Sequence, residues 1–117
     1  MWADPDRLDQ ILANLMENAV RHGEGTVTLT VAPARQDGGD AVAVTISDEG
    51  EGIPPENYPM IFTRFWHRSR RGGTGLGLYV VRGLVEAHDG KVGVGQAVSG
   101  GAEFRFTLPA GAPEGVG

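Results

Sequence analysis

Residues 41–52 of the chain, AVAVTISDEGEG, pass directly from an alternating apolar pattern to an acidic loop that contains two glycines. The alternation predicts a strand whose inward side chains are Val42, Val44 and Ile46. In the loop at 48–52, the Asp48 carboxylate can accept a hydrogen bond from an exocyclic amine, and the glycines let the backbone come close to a flat ligand. Taken alone, such a loop is more typical of a simple Asx turn, so its meaning depends on the rest of the sequence.

The flanking sequence predicts helices that alternate with hairpins. Asp4 and Pro5 are typical of an N-cap followed by an N1 proline, and apolar residues at helical spacing continue to about His22. The further predicted elements are a strand at 26–31 whose apolar residues share one face, a turn at 33–40, a strand at 41–47, a loop at 48–60, one helical turn at 61–66, a helix from 76 to about 88, and a hairpin of 91–96 with 103–108. This order predicts an α+β fold, a two-layer sandwich with helices on one face of a mostly antiparallel sheet.

The composition limits the chain to one small globular domain. It has 117 residues, of which 40% are apolar and 21% charged, and no stretch approaches the ~18 apolar residues needed to cross a bilayer. The absence of cysteine excludes disulfides and thiolate metal sites. A formal net charge of −5 argues against general nucleic-acid binding, which needs a basic face. The arginines between 64 and 71 nevertheless form a basic cluster, which needs an anionic partner or a solvated surface.

A polar stripe on the first predicted helix is the second feature that suggests a ligand. Asn14, Asn18 and Arg21 are spaced i, i+4 and i+7, which places them within about 60° of one another at the border of the apolar face. Two amides and a guanidinium in this arrangement can offer oxygens to a hard cation and hydrogen bonds to phosphate. By itself, the stripe is more typical of the polar rim of an ordinary helix.

A run of glycines before the second predicted helix is the third feature. Residues 72–78, GGTGLGL, lead into the helix, so backbone N–H groups and the helix dipole would face an anion there. The run is not a Walker A loop because no Gly-Lys-Ser/Thr follows, and it fails the dinucleotide fingerprint because Val80 stands where the third glycine belongs. In isolation, it is more typical of a flexible loop.

In combination and in this order, these stretches resemble the N, G1, F, G2 and G3 boxes of the catalytic ATP-binding domain of sensor histidine kinases, within the Bergerat-fold (GHKL) group. The matching segments are 6–21, 48–54, 61–65, 73–78 and 100–104. The resemblance covers 4–109 as one domain and implies a mobile ATP lid at about 66–74, while 110–117 are expected to form a disordered tail. It also implies a mixed, mostly antiparallel sheet of Bergerat type, which in this chain is expected to lack its first strand or strands.

The resemblance implies roles at the phosphate end of the site. Asn18 would coordinate Mg²⁺, Asn14 would assist at the ion or the phosphates, and Arg21 would contact phosphate. Arg64 would reach the γ-phosphate or a partner domain, which makes Asn14 and Arg64 the candidate catalytic residues. The residues that would surround the triphosphate are Gly73, Thr74, Gly75, Leu76, Gly77 and Leu78.

At the adenine end, the resemblance implies that Asp48 binds the exocyclic amino group. The residues that would shape the pocket floor are Gly50, Gly52 and Ile53. Ala102 stands where the family commonly has a threonine that helps hold adenine through water, and losing that hydroxyl would cost about 0.5–1.5 kcal/mol of binding free energy. The expected cofactors are therefore ATP and Mg²⁺.

The implied reaction is transfer of the γ-phosphate of ATP to a histidine. Its acceptor would be a dimerisation and phosphoacceptor domain, in cis or in trans, with a response regulator receiver domain as an indirect partner. Related ATPases and serine kinases have a glutamate where this chain has Asn14, four residues before the Mg²⁺-binding Asn18, and Glu17 lies ~100° round the helix from Asn18. Asn14 therefore favours histidine phosphorylation. The alternatives are an ATP-binding module without transfer activity of its own, and a GHKL-type ATPase or serine kinase.

The phosphoacceptor itself is expected to lie elsewhere. No histidine of the chain has the His-Glu/Asp-x-x-x-Pro setting of a phosphoacceptor, so this chain is interpreted as the C-terminal catalytic part of a kinase and is expected to be inactive alone. The expected location is cytoplasmic, without nucleic-acid contact or direct membrane contact in this segment, although the parent protein could be membrane-anchored.

Overall fold

The computed structural model describes residues 4–64, 66 and 76–110 of the chain. The elements in chain order are α1 (Pro5–His22), β1 (Thr28–Gln36), β2 (Gly39–Ser47), a 3-10 helix (Pro55–Met60), α2 (Gly77–Ala87), β3 (Lys91–Gln96) and β4 (Ala102–Pro109). Most of the lid expected at 66–74, and all but the first residue of the tail expected at 110–117, lie outside the described residues.

Helix α1 begins and ends where its sequence signals predict. The Asp4 side chain accepts hydrogen bonds from the backbone N–H groups of Asp6 at 2.9 Å and Arg7 at 3.4 Å, as an N-cap does. The helix ends at His22, and its buried stripe consists of Ile11, Leu15 and Ala19. The predicted amphipathic helix is therefore confirmed.

The four described strands form one antiparallel sheet in the order β1-β2-β4-β3. Val44 and Ile46 of β2 lie opposite Phe106 and Phe104 of β4, and two valines of β3 lie opposite the same phenylalanines. Because directly opposite residues share a face of the sheet, these side chains form one apolar face, which packs against the buried sides of α1 and α2. The predicted α+β fold is confirmed, although every pairing among the described strands is antiparallel and not mixed.

The two α-helices lie side by side and run in opposite directions. At one end, the backbone N–H of Asp4 donates to Nε2 of His88 at 3.4 Å. At the other end, Nδ2 of Asn14 donates to the carbonyl of Gly77 at 3.5 Å. This arrangement brings the middle of α1 to the start of α2. Neither described α-helix combines the length and the apolar character that a membrane span requires.

Strand β1 is longer than the strand predicted at 26–31, and the turn predicted at 33–40 is correspondingly shorter. Asp37 and Gly38 alone join β1 to β2, because Gln36 already pairs with Gly39. Their φ angles of 52° and 81° suit a two-residue hairpin turn. Pro33 is accommodated because β1 lies at the edge of the sheet formed by the described strands, where a missing N–H is tolerated.

Two apolar side chains of β1 remain exposed. Leu29 and Val31 retain 44% and 60% of their accessible surface. They lie opposite Ile46 and Val44, so they share one face of the sheet, as predicted. On the neighbouring strands, the helices cover this same face. The helices pack over β2, β3 and β4, and among the described strands β1 pairs only with β2. The outer edge of β1 is therefore open within the described part of the chain.

The segment between β2 and α2 has its helical turn earlier than predicted. The 3-10 helix lies inside the loop predicted at 48–60, where Pro55 presets the φ angle of a helix start, and 61–64 are not helical. Phe62 is buried and packs edge to face against Phe104, with ring centroids 6.3 Å apart, and Trp66 packs against the core. Phe62 and Trp66 are therefore part of the core packing, whereas Phe65 lies outside the described residues.

Candidate nucleotide-binding site

Asp48, the residue that follows β2, is exposed to only 2% of its surface. Its Oδ1 accepts hydrogen bonds from the N–H groups of Gly50 at 2.9 Å and Ala102 at 3.3 Å. Its own N–H donates to the carbonyl of Ala102 at 3.1 Å. A buried carboxylate requires such partners, and here they fix it at the junction of β2 and β4. The structure thus brings together three residues of the predicted adenine end.

Two glycines allow other segments to approach Asp48 closely. Gly23 follows α1, and a Cβ placed there would lie 2.5 Å from Cγ and 2.6 Å from Oδ2 of Asp48. A Cβ at Gly101, in the turn between β3 and β4, would collide with the carbonyl and Oδ1 of the same residue. Only glycine leaves room for such approaches. The end of α1, the end of β2 and the β3–β4 turn therefore meet at one carboxylate.

Two further residues, Glu49 and Ser99, hold these segments together. Oε1 of Glu49 accepts a hydrogen bond from the N–H of Thr26 at 2.5 Å, and the Glu49 N–H donates to the carbonyl of Glu24 at 2.8 Å. The Ser99 hydroxyl donates to the carbonyl oxygen of Asp48 at 2.8 Å. The partners are distant in sequence, so no local pattern signals these contacts.

The polar stripe of α1 reaches the start of α2 through Asn14, whose amide nitrogen donates the long hydrogen bond to Gly77. Asn14 and Asn18 are half-buried, and Arg21 is exposed. The Arg21 guanidinium forms an ion pair with Glu17 on the same helix, at 3.1 Å. Asn14 is therefore placed beside the predicted phosphate-binding turn, whereas Arg21 lies within reach of an acid of its own helix.

Among the described residues, no side chain caps the backbone N–H groups at the start of α2. The N-cap residue Leu76 provides no side-chain hydrogen bond, and the first turn contains no acidic residue. The first backbone hydrogen bond of the helix joins the Val80 N–H to the Leu76 carbonyl at 2.8 Å, and in any α-helix the N–H groups of the first turn have no partner within the helix itself. Gly77 is exposed and Leu78 buried. The other predicted members of this turn lie outside the described residues: Gly73, Thr74 and Gly75.

Arg64 approaches α2 from the segment that follows the 3-10 helix. Its side chain is exposed, and its Cζ lies 5.3 Å from the centroid of the Tyr79 ring, which is a cation–π distance. Tyr79 belongs to the first turn of α2. Its role cannot be predicted from the sequence, because one tyrosine within an apolar helix pattern carries no signal of a charged partner.

The loop after Asp48 borders a cavity of about 250 Å³ on its β3 side. The residues that line this cavity are Glu51, Gly52, Ile53, Pro54, Pro55, Tyr58 and Gln96. It includes Gly52 and Ile53 of the predicted pocket floor, but neither Asp48 nor the asparagines of α1. The cavity therefore flanks the candidate site and does not contain its polar residues.

Comparison with known proteins agrees with this geometry. The chain matches the family model of histidine kinase-, DNA gyrase B- and HSP90-like ATPases over residues 3–112. It is 41% identical over 107 residues to the sensor histidine kinase ZraS of Salmonella typhi, across 92% of this chain and 23% of that protein. The fold is similar to the mycobacterial sensor histidine kinase MprB, with a TM-score of 0.75 and 29% identity over 92% of this chain and 72% of that one. It is also similar to full-length ShkA in complex with AMPPNP, with a TM-score of 0.73 and 38% identity over 95% of this chain and 24% of that one.

The fold and the family match define the class of protein: the chain belongs to the histidine kinase-, DNA gyrase B- and HSP90-like ATPase family. Within that family, ZraS and MprB are sensor histidine kinases, which confirms the resemblance drawn from the sequence. The chain spans less than a quarter of the length of ZraS.

Proposed function

We propose that this domain binds ATP with Mg²⁺ and donates the γ-phosphate to a histidine on a separate domain. The observation that carries the proposal is the buried carboxylate of Asp48, which backbone N–H groups hold at the point where three segments meet. A rigid buried acceptor selects a base that offers an amine over one that offers a carbonyl, because the mismatch leaves buried groups unpaired. The family match and the AMPPNP complex of ShkA support a nucleotide as the ligand.

At the adenine end, Asp48 accepts a hydrogen bond from the exocyclic amino group, and the pocket floor consists of Gly50, Gly52 and Ile53. Ala102 takes part through its backbone, since its N–H and carbonyl bond to Asp48. These bonds do not depend on the Ala102 side chain. The missing hydroxyl at this position is therefore compatible with an intact acceptor.

The residues of α1 fit a magnesium site with few protein ligands. Mg²⁺ keeps several waters and takes one or two protein oxygens together with substrate phosphates. Asn18 would supply an amide oxygen, and Asn14, which bonds to Gly77 at the start of α2, would assist at the ion or the phosphates. Bound Mg²⁺ neutralises charge on the phosphate oxygens.

The triphosphate would lie against the start of α2, whose N–H groups and dipole attract anions. Arg21 would contact phosphate, which requires its guanidinium to reach beyond Glu17, its present ion-pair partner. An exposed pair of this kind contributes little stability, so exchanging it for a phosphate contact costs little. The remaining residues assigned to the phosphates are Gly73, Thr74, Gly75, Leu76, Gly77 and Leu78.

The amide at position 14 favours transfer over hydrolysis. A water-activating base would need a carboxylate there, and Asn14 instead donates to the Gly77 carbonyl. Glu17, the nearest acid on the helix, pairs with Arg21 at 3.1 Å. Phosphoryl transfer requires mainly positioning and charge stabilisation, which this set of residues provides.

The acceptor would be a dimerisation domain that carries the phosphoacceptor histidine, in cis or in trans. A response regulator receiver domain would then take the phosphoryl group from that histidine. The reaction would take place in the cytoplasm. The sensor histidine kinase relatives support these partners.

Calorimetric titration with AMPPNP, with and without Mg²⁺, tests the binding site. Asp48→Asn keeps the shape of the side chain but places an amide NH₂ group opposite the amine of adenine, so that two hydrogen-bond donors face each other. AMPPNP affinity should therefore fall at least about 100-fold. Asn18→Ala should mainly remove the Mg²⁺ dependence of binding. Asp9→Asn, an exposed position on α1, is the matched control and should bind as the wild type does. Equal, Mg²⁺-independent binding by all four proteins would contradict the site.

Transfer is tested by adding a dimerisation domain that carries the phosphoacceptor histidine, with γ-labelled ATP. The expected product is an acid-labile phosphohistidine. If the domain binds AMPPNP but the histidine is not labelled, the chain is an ATP-binding module without transfer activity. Phosphate release that disappears in Glu17→Ala would instead indicate an ATPase.

A further inference from the structure

The contact between Arg64 and Tyr79 joins two segments that border the candidate phosphate site. The Arg64 Cζ lies 5.3 Å from the centre of the Tyr79 ring. An arginine within about 6 Å of a ring centroid is attracted by the negative face of the aromatic system. The ring therefore favours one region of space for the Arg64 guanidinium.

Both backbones of this pair are anchored in the core. Just before Arg64, Ile61 and Phe62 are buried, and Phe62 packs against the ring of Phe104. The neighbours of Tyr79 on α2, Leu78 and Val81, are also buried. The distance between the two segments is thus set by the core, and the side chain of Arg64 spans it.

The electrostatic surroundings at the start of α2 indicate which kind of ligand the Arg64 guanidinium would contact. The positive end of the helix dipole lies at this turn, where the described residues provide neither a side-chain cap nor an acidic residue. A cation beside the N-terminus of a helix is disfavoured unless an anion is present, and the face of Tyr79 offsets that repulsion. Asn14 reaches the same turn by its bond to Gly77. These groups together are suited to a highly charged anion.

We propose that Tyr79 is a positioning residue that holds the Arg64 guanidinium at the start of α2 for the terminal phosphate of bound ATP. The inference rests on the proposed function. Of the two roles that the sequence leaves open for Arg64, it assigns the contact with the nucleotide and not the contact with a partner domain. Its measurable consequence is selectivity: the contact should strengthen binding of a nucleoside triphosphate and leave that of a diphosphate nearly unchanged.

The test compares Tyr79→Phe, which keeps the ring, with Tyr79→Leu, which keeps an apolar side chain but loses the ring. Calorimetric titrations with AMPPNP and with ADP, both in Mg²⁺, are made on each variant. We expect Tyr79→Phe to bind both nucleotides as the wild type does. Tyr79→Leu should weaken AMPPNP binding by about 3–5-fold, the fold-change that matches a surface cation–π contact, with little effect on ADP.

Removing Arg64 should remove the effect of Tyr79. In an Arg64→Ala background, AMPPNP affinity should be lowered already, and Tyr79→Leu should cause no further loss. Arg82→Ala is the matched control for charge, because Arg82 lies on the same helix but pairs with Glu86 at 3.3 Å; it should leave the AMPPNP-to-ADP affinity ratio unchanged.

A measurement on the wild type does not depend on how the variants fold. The side-chain protons of Arg64 should show a ring-current shift in NMR spectra that persists when AMPPNP is added, and absence of the shift would contradict the inference. So would equal losses in Tyr79→Phe and Tyr79→Leu, equal losses for ADP and AMPPNP, or an undiminished Tyr79→Leu effect without Arg64. In each of these cases wild-type AMPPNP binding would remain, whereas a wild type that binds no AMPPNP would contradict the proposed function as well.

Discussion

Gly23 and Gly83 are both associated with helices, but a larger side chain is tolerated at Gly83 and not at Gly23. Gly23 ends α1 against the carboxylate of Asp48, where a Cβ would lie 2.5 Å from Cγ. Gly83 lies within α2, is exposed, and a Cβ there would meet no atom within 4 Å. The first glycine is required by a long-range contact, and the second only lowers the intrinsic stability of its helix.

Gly23→Ala should therefore destabilise the domain by about 1–3 kcal/mol, because the added methyl overpacks a closed site. It should also weaken AMPPNP binding, since the carboxylate of Asp48 must move. Gly83→Ala should stabilise the domain by about 0.5–1 kcal/mol. Urea denaturation measures both changes in the free energy of unfolding. A Gly23→Ala protein with wild-type stability and wild-type AMPPNP affinity would show that the close approach of Gly23 to Asp48 is not required.

The residues of the candidate site differ in how far the sequence reveals them. Asn14 and Asp48 belong to motifs whose spacing can be read locally, and the structure places them at the start of α2 and the end of β2. Ser99 and Tyr79 act on residues far away in the chain. Their roles depend on tertiary contacts that no local periodicity encodes.

At the scale of elements, the β1–β2 hairpin shows both the strength and the weakness of sequence patterns. Strand β3 was predicted with the bounds that the structure has, and α1 and α2 to within a residue at each end. The first hairpin is longer than its sequence pattern predicts, because a proline such as Pro33 is more typical of a turn than of a strand. The Asp37-Gly38 pair is itself a hairpin signal, but its polar neighbours obscured where the strands continue.

The turn of this hairpin provides a test of backbone strain without steric contact. A Cβ at Gly38 would meet nothing within 4 Å, but its φ is 81°, so Gly38→Ala should lower the free energy of unfolding by about 1–2 kcal/mol. Gly39→Ala is the control, because its nearest contact is 3.7 Å away and its φ is not positive. Equal unfolding midpoints in urea for the two variants would show that the turn differs from the one described.

At the scale of the whole molecule, the sheet formed by the described strands has an open edge at β1, next to the exposed side chains of Leu29 and Val31. Unpaired strand edges with apolar neighbours are templates for association with another chain. The net charge of −5 opposes such association only weakly at physiological ionic strength, where charges are screened within about 8 Å.

Val31→Lys should therefore reduce self-association, because a lysine on an edge strand disfavours pairing. Sedimentation velocity over a range of protein concentrations measures the change, and AMPPNP affinity should stay that of the wild type. Val98→Lys adds the same charge at an exposed valine in the β3–β4 turn. Identical behaviour of the two variants would indicate an effect of net charge and not of the edge.

The meeting of Gly23, Asp48 and Gly101 also has a thermodynamic consequence. These residues belong to three segments that are joined only in the native fold, so an occupant of this site binds the folded chain and has no comparable site in the unfolded one. By mass action, such a ligand stabilises the protein by RT ln(1 + [L]/Kd), which is about 2.7 kcal/mol at a hundredfold excess over Kd. With the nucleotide proposed above as the ligand, we expect the melting temperature of the domain to depend on the nucleotide concentration as well as on the sequence.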